Sequence, residues 1–405
     1  MTYTASPPHL ALLTGVLADS APDKILRRTL RPLLGRRRPR SILCLGKAAP
    51  SLARGAALWA PQASGLLYGT EQDGAIPDDW TALWGTHPLP GASNLECTAR
   101  LERWAERAEG PVLVLVSGGT SALLVRPAPP WGPEEKAALT HRLLRSGASI
   151  LEVNIVRARL SKIKGGGLRR LLGGPVWTGI WSDVGRSSFR VVGSAPTVSM
   201  PGSPAAHEIL RRYAITPELP LPPDGVLRRV PPGDRCGLLF DARAFGDRVQ
   251  RTLEERGIRV IRRDAREGES TRSLARRIAR MAGAVRGPLP PVILGVGEPG
   301  VVVRGRGRGG RCTDLAAHLA LRLRRRPGWS FLALATDGVD GSAGGGVALA
   351  ASDLPKAGEI EEAIRANDTG TLWKRRGVLL PRHPTGNNLR DLWLLSFGAD
   401  RTATP

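Results

Sequence analysis

The sequence predicts a two-domain α/β protein, and three observations carry that expectation. Its 405 residues exceed the ~100–200 of one ordinary domain. Short apolar runs alternate with amphipathic segments through both halves, the pattern of strands and helices layered on a sheet. A Pro-rich stretch, TPELPLPPDGVLRRVPPGDR at 216–235, separates the halves. Pro at that density suits neither a helix nor a central strand, so the expected domains are 1–225 and 236–405.

In the first half, SILCLG (41–46) reads as a buried strand ending in Gly, and KAAPSLARGAALWA (47–60) follows with helical spacing. GLLYGT (65–70) is a second strand. ECTARLERWAERAEG (96–110) is amphipathic, with Leu101, Trp104 and Ala108 on one stripe. The strongest signal is PVLVLVSGGTSALL (111–124): Val112 to Ser117 forms a buried parallel strand, then a Gly-rich turn opens a helix. PEEKAALTHRLLRSGA (133–148) is a helix closed by Gly147, and PVWTGIWSDV (175–184) is a strand ending at an Asp.

The second half repeats the alternation. CGLLFDARAFGDRVQRTLEERG (236–257) holds a strand and a long helix, IRVIRR (258–263) a strand, and STRSLARRIARMAGAV (270–285) a helix. PVILGVGEPGVVVRGRGRGGR (291–311) reads as a hairpin followed by a Gly- and Arg-rich loop. TDLAAHLALRLRRR (313–326) is a helix. WSFLALATDGVDGSAGGGVALA (329–350) is a strand, an acidic turn and a further apolar segment, and 375–398 closes the domain with HPTGNN between apolar runs.

A net charge of +23 and a pI near 11.3 raise nucleic acid as a partner. Yet only seven of the 59 basic residues are Lys, the Arg are dispersed, and aromatic residues for base stacking are scarce at 4%. A compositional Arg bias accounts for the charge at least as well, and a site for an anionic substrate would gain from the same field. No run approaches the ~18 apolar residues of a membrane span. The N-terminal segment lacks the basic start and cleavage site of a secretory signal, so a cytoplasmic protein without membrane contact is expected. Cys44, Cys97, Cys236 and Cys312 are far apart and suggest neither a zinc site nor a disulfide framework.

Small, polar and charged residues follow several strands, where open parallel sheets bind ligands. Ser117, Gly118, Gly119, Thr120 and Ser121 offer backbone N–H groups, hydroxyls and a helix start, which suit a phosphate. This is neither a Walker motif nor GxGxxG, and on the loop alone a tight structural turn is the better reading. Lys47 stands at a helix start, where the dipole disfavours a cation, so it has either a specific role or a solvated side chain. Arg304, Arg306, Arg308 and Arg311 read as an anion-binding loop or an RGG-type RNA contact. Asp337 and Asp340 in TDGVDG, and Asp183 after its strand, could bind a divalent cation or accept a proton; an Asx turn or helix cap competes strongly. His87, beside Pro, is better explained as a turn or packing residue.

Together and in order, these motifs are specific. The sequence resembles the glycerate 2-kinase family, whose C-terminal part is the MOFRL domain. The stretches that carry the resemblance are GKAAPSLARGA (46–56), GTHPLPGASN (85–94), VLVSGGTSALL (114–124) and SGASILEVNIVRARLSKIKGGGL (146–168). They continue with SDVGRSSFRVVGSAPTV (182–198), GEPGVVVRGRGRGGRCTDLA (297–316), TDGVDG (336–341), AND (366–368) and HPTGNNLRDL (383–392). The resemblance implies an N-terminal Rossmann-like parallel-sheet domain, a C-terminal α/β domain of MOFRL type and a cleft between them. It implies transfer of the γ-phosphoryl of ATP to the 2-hydroxyl of D-glycerate or a similar small hydroxy acid, with Mg²⁺ on the phosphates. On this footing Lys47, Arg311 and Asp183 are catalytic. Ser117 to Ser121, Asn154, Arg157, Lys164 and Glu298 bind substrate or phosphate, and Asp183 and Asp337 hold the metal.

The sequence departs from the family pattern at several points. SDVxGD then SGPT becomes SDVGRSS then SAPT, so Ser187 replaces a carboxylate on which metal binding would draw, and Ala195 replaces a Gly. GGRNQE becomes GGRCTD, introducing Cys312, Thr313 and Asp314; GPTGTN becomes HPTGNN, introducing His383 and Asn387. These changes admit a second reading, a nucleotide- or anion-binding homologue without catalysis. Nucleic-acid binding is the third.

Overall fold

A computed structural model describes residues 9–70, 75–87, 89–182, 186–199, 206–223, 227, 229–285, 287, 290–383 and 385–398. The chain forms two compact units: one spans 22–241, and the other combines 1–21 with 242–405. Helix α1 (Leu10–Asp19) belongs to the latter.

In the 22–241 unit, helices α2 (Pro22–Leu34), α3 (Ala49–Trp59), α4 (Ala92–Arg107), α5 (Thr120–Leu123), α6 (Pro133–Arg145), α7 (Ile150–Arg159), α8 (Gly167–Leu171) and α9 (Ala206–Arg212) surround one six-stranded sheet. Its strands are β1 (Ser41–Leu45), β2 (Ser64–Gly69), β3 (Thr81–Trp84), β4 (Val112–Ser117), β5 (Val176–Ser182) and β6 (Arg235–Asp241). Every pairing is parallel and the order is 3-2-1-4-5-6, that of a doubly wound Rossmann-type sheet. Central strands of such sheets are covered on both faces and read as unbroken apolar runs. SILCL of β1 and VLVLVS of β4 are accordingly buried at every position. Leu43, Leu45, Val114 and Val116 pack with Leu101 of α4 and Leu168 of α8. A separate apolar cluster joins α6, α7 and α9 through Leu139, Leu143, Val153, Val156, Ile209 and Leu210.

The other unit carries helices α10 (Ala242–Glu254), α11 (Thr271–Ala284), α12 (Arg311–Leu323), α13 (Ala357–Ala366) and α14 (Thr369–Arg375). Its strands are β7 (Val260–Arg262), β8 (Val292–Gly297), β9 (Trp329–Ala335), β10 (Gly346–Ala350), β11 (Leu379–Leu380) and β12 (Asp391–Phe397). The sheet is mixed, with order 11-10-9-12-8-7 and β12 antiparallel to both neighbours. Trp373, Trp393, Phe331, Leu274, Ile278 and Leu319 are among its core. No helix among the described residues is long and apolar enough to cross a membrane.

Three details differ from the sequence reading. Residues 235–241 pair with β5 as the edge strand of the first sheet, and Phe240 stacks at 5.0 Å on Trp181, so the apolar run at 236 finishes that sheet rather than opening a new domain. Helix α1 packs on α10, far along the chain. The hairpin expected at 291–311 is a single strand, β8, followed by a loop. The loop's backbone is held by side chains instead of a second strand: Asn367 Oδ1 accepts from Arg304 N (2.7 Å) and Gly305 N (2.8 Å), and Asp368 Oδ1 accepts from Arg308 N (2.8 Å).

Helix α12 starts at Gly310, which has no side chain to cap it. Asp340, 2% exposed, does so instead: its carboxylate accepts from Cys312 N (2.9 Å) and Thr313 N (3.0 Å). A Cβ on Gly310 would lie 2.2 Å from Asp340 Oδ1, so this cap requires glycine there. Asp340→Ala strands two buried N–H groups and is expected to cost about 2–3 kcal/mol in urea unfolding, with Asp340→Asn in between.

Candidate functional site

The order of the first sheet reverses between β1 and β4, and the loops leaving these two strands are tied together. Ser117, fully buried at the end of β4, donates its hydroxyl to Leu45 O (2.8 Å) and accepts from Ala48 N (3.1 Å). Lys47 N donates to Gly118 O (2.9 Å). Gly46 makes the contact possible: its φ is 105°, and a Cβ there would sit 2.4 Å from Ser117 Oγ. Gly119, at φ 87°, likewise lies against Lys47 and His87; an added Cβ would be 3.0 Å from Lys47 Cγ and 3.4 Å from His87 Cδ2. Of the five residues expected to cradle phosphate, Ser117 and Thr120 turn their hydroxyls inward, and Thr120 donates to Ser117 O (2.8 Å). These hydroxyls build the loop, as the structural-turn reading required.

Ser121 begins a polar network that gathers three further sequence candidates. Its carbonyl oxygen accepts from Lys164 Nζ (2.7 Å) and Arg157 Nη2 (3.2 Å). Its hydroxyl is 2.8 Å from that of Ser194, which donates to Asn154 Oδ1 (3.0 Å). Burial lowers the pKa of Arg157, and holds Lys164 well below the usual lysine range with Lys136 and Arg157 adding to the effect. Lys136 itself was missed from sequence. It is buried on the same stripe of α6 as Leu139 and Leu143, and desolvation, then Arg157, pushes it down to about 7. A Lys at the i position of an apolar i, i+3, i+7 stripe is the signal that could have found it.

A second group lies in the other unit. Arg311, first residue of α12, donates to Asp391 in a fork, Nε to Oδ2 at 2.6 Å and Nη2 to Oδ1 at 3.2 Å, and Nη2 also meets Glu298 Oε1 at 3.1 Å. Burial pushes Asp391 up to about 7 against the pull of Arg311. Burial alone would lower Arg311, but Asp391 and Glu298 outweigh it and keep the guanidinium charged. Sequence reasoning chose Arg311 and Glu298 but not Asp391, because a buried carboxylate opening an apolar strand has no local motif.

Asp337 follows β9 and accepts from Val339 N (3.0 Å) in an Asx turn. Asp340, its expected companion at a cation, is spent on capping α12. Asp183 and the side chain of Ser187 lie outside the described residues. Among the described residues no three His, Cys, Asp or Glu side chains are grouped for a metal. The altered residues of GGRCTD face inward: Cys312 is in the core, Thr313 bonds Gly310 and Thr369, and Asp314 accepts from Thr271 Oγ1 (2.5 Å). His383 N donates to Gly338 O (3.2 Å).

Gly46→Ala is expected to lower stability by about 2–4 kcal/mol, combining a left-handed backbone with overlap onto Ser117. Ser117→Ala should cost about 1–3 kcal/mol through the two backbone groups it leaves unpaired. Thermal and urea unfolding of both variants measures these effects.

A family model described as a domain of unknown function, DUF4147, matches residues 9–227, and the MOFRL family model matches 291–391. A D-glycerate 2-kinase of Thermotoga maritima is 31% identical, covering 92% of this chain and 93% of its own. A glycerate kinase of Macaca fascicularis is 32% identical over 76% of this chain and 94% of its own. An Agrobacterium vitis relative that carries a hydroxypyruvate reductase label is 33% identical over 78% and 77%. The crystal structure of a Thermotoga maritima glycerate kinase matches with a TM-score of 0.81 at 26% identity, over 96% of this chain and 98% of that one. With one family model spanning more than half of its length and these relatives along most of the rest, the chain belongs to the glycerate 2-kinase family.

Proposed function

We propose that the protein transfers the γ-phosphoryl group of ATP to the 2-hydroxyl of D-glycerate, giving 2-phosphoglycerate. The observation that carries this reading is the tie between the Lys47 loop and the 117–121 loop at the reversal of strand order. Open α/β sheets bind ligands at that position, and relatives along most of the chain are named glycerate kinases.

Phosphoryl transfer needs alignment and charge neutralisation more than covalent help from the protein. Lys47, held against Gly119, supplies a cation beside the transferring group. In the other unit, the fork of Arg311 to Asp391 fixes the guanidinium plane for an anionic oxygen. Glu298 tempers its charge. Gly118 and Gly119 allow a phosphate to approach the backbone closely, while Asn154, Arg157 and Lys164 hold the acceptor through the network around Ser121. Magnesium brought in on nucleotide phosphates needs only one or two carboxylates besides water and phosphate oxygens, and Asp183 or Asp337 would supply one. Such an ion neutralises the β- and γ-phosphate oxygens.

The reductase label of one relative raises hydride transfer. After β1, where dinucleotide enzymes of this strand order carry GxGxxG, the sequence reads GKAAPS.

Purified protein with D-glycerate, ATP and Mg²⁺ should release ADP, and ³¹P NMR should show the 2-phosphate. Lys47→Ala should lower kcat about 10²–10³-fold while leaving the unfolding midpoint in place. An absence of ADP release together with unchanged nucleotide binding in that variant would sink the proposal. Binding of ATP without turnover of any hydroxy acid would favour a non-catalytic homologue, and NADH oxidation with hydroxypyruvate a reductase.

A further inference from the structure

From the side chains around Ser121 we infer that Lys136, Arg157 and Lys164 form a binding site for a carboxylate, and that it grips the acid end of the substrate. The substrate's identity rests on the kinase reading above; the pocket itself does not.

Lys136 is the least expected of the three. It stands on α6 among apolar side chains, in line with Leu139 and Leu143, where any aliphatic residue would fit the cluster that joins α6, α7 and α9. A surface lysine buries its stem and keeps its ammonium in water. Here the residue is 7% exposed and the Nζ atom finds no hydrogen-bond partner among the described residues. The hydrogen-bonding capacity of this nitrogen is left unspent.

Its neighbours are cations too. Lys164, 2% exposed, and Arg157 both donate to the Ser121 carbonyl, a neutral oxygen that satisfies hydrogen bonds but neutralises no charge. Among the described residues none of the three pairs with a carboxylate. Buried charges are ordinarily paired, because removing an ion from water costs far more than removing a neutral group. The depressed lysine pKa values report the same imbalance, since desolvation and like charges are their causes. One anion placed among the three would reverse both effects.

The surroundings point to a carboxylate on a hydroxy acid. The hydroxyls of Ser121 and Ser194 and the amide of Asn154 form a chain at the same carbonyl, offering neutral partners to an alcohol oxygen next to the acid group. The three basic side chains come from α6, α7 and the loop before α8, and two of them meet at the Ser121 carbonyl. A neutral polyol would leave the pocket as unbalanced as it is alone.

Lys136→Met keeps the length of the side chain and removes the charge. In steady-state assays it should raise KM for D-glycerate about tenfold or more, the loss expected for a charged hydrogen bond, with KM for ATP changing less than about twofold. Without ligand the variant should melt at a higher temperature than the parent, because a buried polar group with no partner has gone; a merely structural lysine would lower it. Thermal-shift titrations with D-glycerate, lactate, glycerol and inorganic phosphate keep the two readings apart. Protection of the parent by both carboxylates, lost in Lys136→Met, supports the pocket even if no phosphoryl transfer is found. Equal protection of parent and variant by the carboxylates, or protection by phosphate or glycerol in their place, overturns it.

Discussion

Ser117 is the residue on which the candidate site depends. It ends β4 with no exposure to solvent, and its single hydroxyl both donates to Leu45 O and accepts from Ala48 N. Parallel strands hold one another along their length but leave the loops at their carboxyl ends unpaired. At the β1–β4 reversal those loops diverge toward opposite faces, and a buried hydroxyl between them replaces the missing ladder. Everything placed afterwards on either side inherits that register: Lys47 by its N–H to Gly118 O, and Ser121, four residues on, with the cations gathered at its carbonyl. Glycine at 46 follows from the same demand, because its backbone comes too close to Ser117 and Gly118 for a Cβ, and glycine at 119 from its left-handed φ of 87°.

Much of this was legible in sequence, and what was not has a physical pattern. The continuous apolar runs of β1 and β4 stood out because strands covered on both faces need no polar alternation. The alternation of elements along 41–184 likewise announced a parallel sheet. Residues acting through local spacing were visible too: SGGTSAL read first as a tight turn, and its hydroxyls do build one. The misses share a different feature. Lys136 and Asp391 matter through partners distant in sequence, Arg157 and Arg311, so local spacing alone does not mark either. The expected hairpin after β8 failed for a related reason. Its second arm, VVVRGRGRGG, has alternating character, but its backbone is satisfied by Asn367 and Asp368, more than fifty residues away.

The two units treat buried cations in opposite ways, and the contrast gives the charge of +23 a structural meaning. Arg311 is met by Asp391 and Glu298, so its positive charge is more than balanced within the protein. Such a pair fixes geometry, because removing Arg311 would leave the buried Asp391 carboxylate uncompensated. Around Ser121 the described residues provide hydroxyls and an amide but no acid. A protein with 36 acidic residues could have placed one there, and a carboxylate in that position would stabilise the fold at the expense of any anionic ligand. The local excess of charge, rather than the global one, is what bears on function.

The turn at 193–195 shows what the fold tolerates to keep that excess in place. Gly193, Ser194 and Ala195 lie in succession at φ 66°, 62° and 54°. The last two carry side chains, each costing on the order of 1–2 kcal/mol in a left-handed conformation. Ala195 stands where the family resemblance has glycine. The turn persists because its carbonyls are occupied: Ser194 O accepts from Gly165 N (3.0 Å) and Ala195 O from Gly166 N (2.7 Å). Those bonds fix the KGGG loop that presents Lys164, while the Ser194 hydroxyl, turned the other way, reaches Ser121 and Asn154. A relaxed backbone at 194 would move the hydroxyl and the loop together. Strain at this turn and the unpartnered nitrogen of Lys136 on α6 therefore belong to one arrangement around the Ser121 carbonyl, where Lys164 and Arg157 donate.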